Sequence, residues 1–169
     1  MIRVNPGSRR AALVRAGAEK HVSLFIHTTA GASTMIHIRE IDHLVLRVVD
    51  LDAMLQFYCG VLGCTLEQRQ DDIGLIQLRA GKSLLDLVPV AGKLGSAGGA
   101  APGKEGRNLD HFCFRVDPFD AIAIVKQLAV HGILAGAPSA RNGAEGVGPS
   151  IYVLDPEGNM VELKGPAEP

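Results

Sequence analysis

No basic excess marks this chain: Lys and Arg number 17 against 18 Asp and Glu, for a formal net charge of -1. That balance argues against nucleic acid or an anionic membrane as the main partner, because both select for a clear surplus of positive charge. No apolar run approaches the ~20 residues needed to span a bilayer. Three cysteines, Cys59, Cys64 and Cys113, form no CxxC pattern and cannot all pair. A reduced, cytoplasmic setting is the simpler expectation. What the composition does supply is 169 residues, 47% of them hydrophobic. That is enough for one domain with a real core, or for two very small intimate halves.

The first 34 residues differ from the rest. Arg3, Arg9, Arg10, Arg15 and Lys20 face a single acid, Glu19, and no sustained period runs through them. A secretory signal would need a longer uninterrupted apolar stretch, whereas an organellar transit peptide would fit the Arg-rich, acid-poor bias. The other reading is a disordered or mis-started extension, with Met35 opening the working protein. On that reading residues 1–35 stand apart from a domain over residues 36–166.

The body of the chain contains a repeat. Ile41-Asp42-His43-Leu44-Val45-Leu46-Arg47-Val48 is matched by Leu109-Asp110-His111-Phe112-Cys113-Phe114-Arg115-Val116, in type at every position except Val45 against Cys113. In extended conformation His43 and Arg47 share one face and Leu44, Leu46 and Val48 the other; His111 and Arg115 share a face in the same way. A helix is expected after each strand. The first is capped by Asp50, carries apolar residues at helical spacing from Leu51 to Leu62, and stops at Gly63. The second is expected to open at Asp117-Pro118 and run through Phe119, Ile122, Val125 and Leu128 to Gly132. Three shorter extended segments follow each helix: about 64–68, 73–79 and 83–88 in the first half, and 135–138, 150–154 and 160–164 in the second. Turn residues separate them, Ala80-Gly81-Lys82 in one half and Asp155-Pro156-Glu157-Gly158-Asn159 in the other. Each half reads βαβββ, giving modules over about residues 38–90 and 108–166.

Between them lies a Gly-rich linker, 91–107. Gly98 to Glu105 comes close to the phosphate-cradling GxxxxGK[ST] loop, but Glu105 replaces the hydroxyl residue and no helix follows, so a linker is the better reading. The second glycine-rich loop, Arg141 to Pro149, fits either a lid or a plain connection.

Of six histidines, His43 and His111 occupy the same place in both halves, each on a face with an arginine. His21 and His27 lie in the N-terminal segment, His37 just before the first strand, and His131 at a helix end where it can serve the last carbonyls. Matched occurrence in a repeat favours a shared site for His43 and His111. The last strand of each half supplies a carboxylate, Asp86 in the first and Glu162 in the second, each flanked by apolar residues. A buried carboxylate is costly unless paired or metal-bound. An ion pair with Arg47 or Arg115 is the alternative to metal. Two His and one carboxylate suit Zn²⁺, Ni²⁺, Fe²⁺, Co²⁺ or Mn²⁺ and leave positions free for substrate.

The run IDHLVLRV, helix, FYCGVLG, then LDHFCFRV and SIYVLDPEGNMVEL resembles the glyoxalase/bleomycin resistance/extradiol dioxygenase family, or vicinal oxygen chelate superfamily, over about residues 38–166. The resemblance implies an α+β fold in which two βαβββ modules form a cupped mixed sheet around a divalent metal held by His43, His111, Glu162 and Asp86. It implies a homodimer with ligands from both chains, as in many single-pair members, and a small oxygenated substrate. Glyoxalase I-like lyase chemistry is favoured, with Glu162 moving the proton, Asp86 as ligand or second base, and Arg47 placed to hold the carboxylate of glutathione as co-substrate. Arg115, in the matching position, is the other candidate substrate-binding cation. The alternatives are an Fe²⁺-dependent dioxygenase with Tyr152 as acid or base, a thiol transferase, and a non-catalytic antibiotic-binding protein.

Overall fold

The structure is a computed structural model and describes residue 36 and residues 38–169. The expectations for residues 1–35, and for His21, His27 and His37, fall outside the described residues. The compact unit Arg39–Pro169 carries the two modules.

In the first module, β1 (His43–Val48) is followed by α1 (Leu51–Leu55), which widens without a break into a π-helical stretch over Gln56–Val61. Then come β2 (Thr65–Gln70), β3 (Leu75–Ala80) and β4 (Ser83–Pro89). The strands lie in the order β1-β4-β3-β2, with β1 parallel to β4 and the other pairs antiparallel. As the sequence suggests, the Asp50 side chain caps the helix by accepting from the Ala53 amide, and Gly63 ends it at a φ of +79° that a Cβ would disfavour.

A short α2 (Lys93–Ser96) opens the linker, and the second module follows with β5 (His111–Arg115), α3 (Ala121–Val130), β6 (Ser139–Arg141), β7 (Gly148–Leu154) and β8 (Met160–Lys164). Its order, β5-β8-β7-β6, repeats that of the first module, again with one parallel pair, β5 with β8. Two elements start three or more residues later than expected. α3 starts at Ala121, not at Asp117-Pro118, because the Asp120 carboxylate is the one that accepts from the Ile122 and Ala123 amides. β6 covers Ser139–Arg141 where the sequence suggested 135–138, because it pairs with Gly148 to Ser150 across a loop whose length no local pattern reveals.

Alternation along the strands decides what is buried. In the first module Leu46, Val48, Ile76, Leu78, Leu85 and Leu87 face the core, with Met54, Phe57, Tyr58 and Val61 from the helix. In the second, Ile151, Val153, Val161 and Leu163 do so, with Leu128 of α3. The modules are tied by one turn. Buried Tyr58 donates its hydroxyl to Asp155 Oδ2 at 2.7 Å, and Asp155 also accepts from the Glu157 and Asn159 amides and from Asn159 Nδ2. Glu157 of the same turn accepts from the Val49 and Asp50 amides at 2.6 and 2.8 Å, at the start of α1. Burial, and the Asp155 carboxylate next to it, raise the Tyr58 pKa well above the ordinary phenol value, so the hydroxyl remains a donor.

Removing that donor should be felt. Tyr58→Phe is expected to cost about 1–3 kcal/mol of unfolding free energy, read from urea melts with an unchanged slope. Asp155→Ala should cost more, since it strands every donor of the turn.

Candidate metal and substrate site

Each first strand presents its histidine beside an aspartate that reaches round from the preceding residue. His43 Nδ1 lies 2.8 Å from Asp42 Oδ1, and His111 Nδ1 lies 2.7 Å from Asp110 Oδ1. A carboxylate on Nδ1 fixes that nitrogen as the protonated one and leaves Nε2 with a lone pair for a ligand. Strict alternation along a strand would put each aspartate on the face opposite its neighbouring histidine, so the contact depends on the carboxylate turning back round the strand end. The signal that could have found them is the Asp-His dipeptide present in both copies.

Strand register supplies the rest. In the second module the parallel β5–β8 pairing sets Cys113 opposite Glu162, and the antiparallel β7–β8 pairing sets Tyr152 opposite Glu162 on the other side. Glu162 is 4% exposed, so its charge needs compensation. His111 Nε2 stands 3.3 Å from Glu162 Oε2, and the Ser150 hydroxyl donates to Oε1. The Tyr152 ring meets His111 edge-on at 5.6 Å. Burial and the neighbouring Glu162 raise the Tyr152 pKa, against a lowering from Arg141, so its phenol stays protonated at neutral pH. Cys113 shares this face. Burial, with the charge of Glu162, pushes its thiol up to about 11, which keeps it neutral and a poor nucleophile.

The first module repeats the scheme with different side chains. Asp86 sits opposite Val45 and Gln77, the positions that correspond to Cys113 and Tyr152. It is also 4% exposed, and Gln77 Nε2 reaches both its oxygens, at 3.2 and 3.1 Å. The hydrogen bond to Asp42 lifts the His43 pKa above its ordinary value, opposed by desolvation and helped by the charge of Asp86.

The structure therefore groups His111, Glu162, Tyr152 and Ser150 on one sheet, and His43, Asp86 and Gln77 on the other. Among the described residues of one chain, no three His, Cys, Asp or Glu side chains stand close enough to hold one ion. Among the described residues neither carboxylate pairs with an arginine. Arg47 directs its guanidinium into the linker, where Nε, Nη1 and Nη2 donate to the carbonyls of Gly95, Gly98, Gly99 and Ala100. Those contacts occupy every N–H of the guanidinium and leave no donor for a substrate carboxylate. They also account for one linker glycine: a Cβ on Gly98 would lie 2.5 Å from Arg47 Nε. Arg115 pairs with Glu145 of the β6–β7 loop. That loop is tied at both ends, because buried Lys164 donates to the carbonyls of Arg141 and Gly148.

A family model described as Glyoxalase/Bleomycin resistance protein/Dioxygenase superfamily matches residues 40–163. The virulence protein STM3117 of Salmonella typhimurium is 29% identical over 137 residues, spanning 78% of this chain and 87% of that protein. Its crystal structure superposes with a TM-score of 0.63 at 27% identity, over 78% of this chain and all of that one. The glyoxalase domain-containing protein RDO1 of Mycosarcoma maydis is 34% identical over 130 residues, 76% of this chain and 69% of that protein. A lactoylglutathione lyase from Agrobacterium tumefaciens shares the fold, with a TM-score of 0.54 at 23% identity over 75% of this chain and 92% of that one.

If Asp42 sets the state of His43, Asp42→Asn should move the His43 imidazole midpoint downward in an NMR pH titration of metal-free protein. The direction follows from the sign: losing the partner removes the stabilisation of the protonated ring. A midpoint that stays in place would separate the two residues.

Proposed function

This chain belongs to the Glyoxalase/Bleomycin resistance protein/Dioxygenase superfamily, and from that premise we propose that it is a divalent-metal-dependent enzyme. It works as a homodimer on a small substrate with two vicinal oxygens, by glyoxalase I-like lyase chemistry. The observation that carries this reading is the His111–Glu162 pair: a buried carboxylate 3.3 Å from an imidazole Nε2 whose Nδ1 is already held by Asp110. Imidazole and carboxylate donors fit a borderline cation such as Zn²⁺, Ni²⁺, Co²⁺, Fe²⁺ or Mn²⁺. Two donors from one chain do not complete such a set, and the third is His43 of the partner subunit. Two features support sharing. β1 and β5 each pair on one side alone, leaving an open sheet edge in both modules. The ligand faces also expose Val45, Leu154 and Met160, apolar residues that a second module would cover.

When bound, the cation would act as a Lewis acid toward the two vicinal oxygens and favour loss of a proton from the hydroxyl-bearing carbon, next to the carbonyl carbon. The side chains do the remainder. Glu162 accepts that proton and returns it to the neighbouring carbon, with the Ser150 hydroxyl holding its other oxygen in place. Tyr152, kept protonated beside Glu162, donates a hydrogen bond to a substrate oxygen. Asp86, with both oxygens on Gln77, serves as a second base or as a fourth ligand once Gln77 lets one oxygen go. Glutathione is the proposed co-substrate. A second reading, Fe²⁺-dependent ring cleavage, rests on Tyr152 as acid beside the His111–Glu162 pair.

Two measurements test this. Metal analysis of His43→Ala and His111→Ala proteins should find little bound metal in either alone. A heterodimer of the two should recover one site per pair of chains, because one face keeps both histidines. No recovery would place the ligands within one chain. Separately, protein loaded with Ni²⁺, Co²⁺, Zn²⁺ or Mn²⁺ should turn over the methylglyoxal–glutathione hemithioacetal, and Glu162→Gln should lower that rate about 100-fold or more. Stoichiometric metal without turnover would remove the lyase assignment and leave the metal site.

A further inference from the structure

Two cavities meet where the modules join. The inner one, about 120 Å³, lies between the end of the π-helical stretch, α3 and β8, with Val61, Leu62, Ile124, Leu128 and Leu163 in its wall. The one polar side chain beside it is Gln127, whose Nε2 donates to the Val61 carbonyl at 2.9 Å. A buried water needs two or more polar partners, and among the lining side chains only the Gln127 carbonyl oxygen is left to serve. The space therefore suits apolar atoms.

The outer cavity, about 290 Å³, shares Leu62, Val116 and Leu163 with the inner one. It opens between the β3–β4 turn of the first module and the unpaired edge of β5 in the second. Arg79, Lys82 and Arg115 line it, and no acid does. Arg79 is paired with Glu67 and Arg115 with Glu145. Lys82 gives its carbonyl to Arg79, while its ammonium takes no partner among the described residues. The two thiols of the wall, Cys64 and Cys113, stay neutral, because burial pushes each up to about 11. Apolar at one end and cationic at the other, the joined space has the polarity of an amphiphile reversed in sign.

We propose that this junction binds a medium-chain alkyl carboxylate, its tail between the helices and β8 and its head at Lys82. The site does not depend on the shared metal centre. Phe114 and Leu163, paired in register, alternate with Cys113 and Glu162 and so line the junction from the core side of the second sheet. Burying methylenes in the inner cavity supplies the affinity. The cationic mouth supplies the choice of an anion over a neutral head, with an ammonium free to meet it. A bound chain would touch α3 and β8 of one module and the end of the first helix of the other, bridging them away from the Asp155 turn.

The test is calorimetric titration of the full-length protein with octanoate, propanoate and 1-octanol. Octanoate should bind at one per chain, about tenfold or more tightly than propanoate, which lacks the tail. It should also bind about threefold or more tightly than 1-octanol, which lacks the charge. Lys82→Gln, at an exposed position, should bring octanoate down to the level of 1-octanol and leave 1-octanol unchanged. Val116→Phe fills the space the cavities share and should reduce octanoate to the level of propanoate. Ile124→Phe, on partly exposed α3, narrows the same space and keeps the test available if Val116→Phe does not fold. Equal binding of octanoate and propanoate, more than one octanoate per chain, or octanoate affinity untouched by the filling substitutions overturns the site. A preference over 1-octanol that survives Lys82→Gln overturns the placement of the head. Because propanoate carries the same carboxylate, binding to a metal ion on the opposite face would show as equal affinities and count against the proposal.

Discussion

Everything in this fold depends on two modules being held together by one turn. Asp155 is buried and negatively charged, a costly combination that the turn resolves by giving it four donors, one of them the Tyr58 hydroxyl from the other module. Glu157, two residues on, caps free amides at the start of the first helix. The same five-residue turn therefore satisfies its own backbone, the entry to α1 and a buried phenol. Packing joins the modules as well, with Tyr58 beside Phe112 and Gln127 reaching the Val61 carbonyl.

The clamp leaves the other face of each sheet free for polar groups. Apolar residues point toward the shared core, and the alternate residues, with period two, carry the histidines and carboxylates. Each carboxylate lies one strand in from the histidine that precedes it in the chain, since β1 pairs with β4 and β5 with β8. The chain thus makes the same half-site twice and then diversifies it. One copy has Glu162, Ser150 and Tyr152; the other has Asp86 and Gln77. The difference assigns roles: the second module offers a carboxylate opposed by an imidazole, the first a carboxylate held by an amide.

Much of this was legible in the chain. The repeat of Ile41–Val48 in Leu109–Val116, the Asp50 cap, the Gly63 stop and the alternation that separates His43 from Leu44 are local signals with fixed periods, and the structure follows them. The family model spans the same residues, 40–163. The start of α3 and the position of β6 were missed because Asp117 and Asp120 are both good caps, and because a short edge strand is defined by the partner it meets.

The sequence by itself determined the two modules, the face each histidine shares with an arginine, and the balance of charge. Only the tertiary structure decided what those groups touch. Arg47 was bound for the linker, Asp42 and Asp110 for the imidazoles, Gln77 for Asp86 and Arg141 for the Tyr152 ring. The physical reason is range: periodicity and capping act over a few residues. Hydrogen bonds that join residue 47 to residue 99, or residue 58 to residue 155, depend on how strands register and loops close, which nothing in a local pattern records.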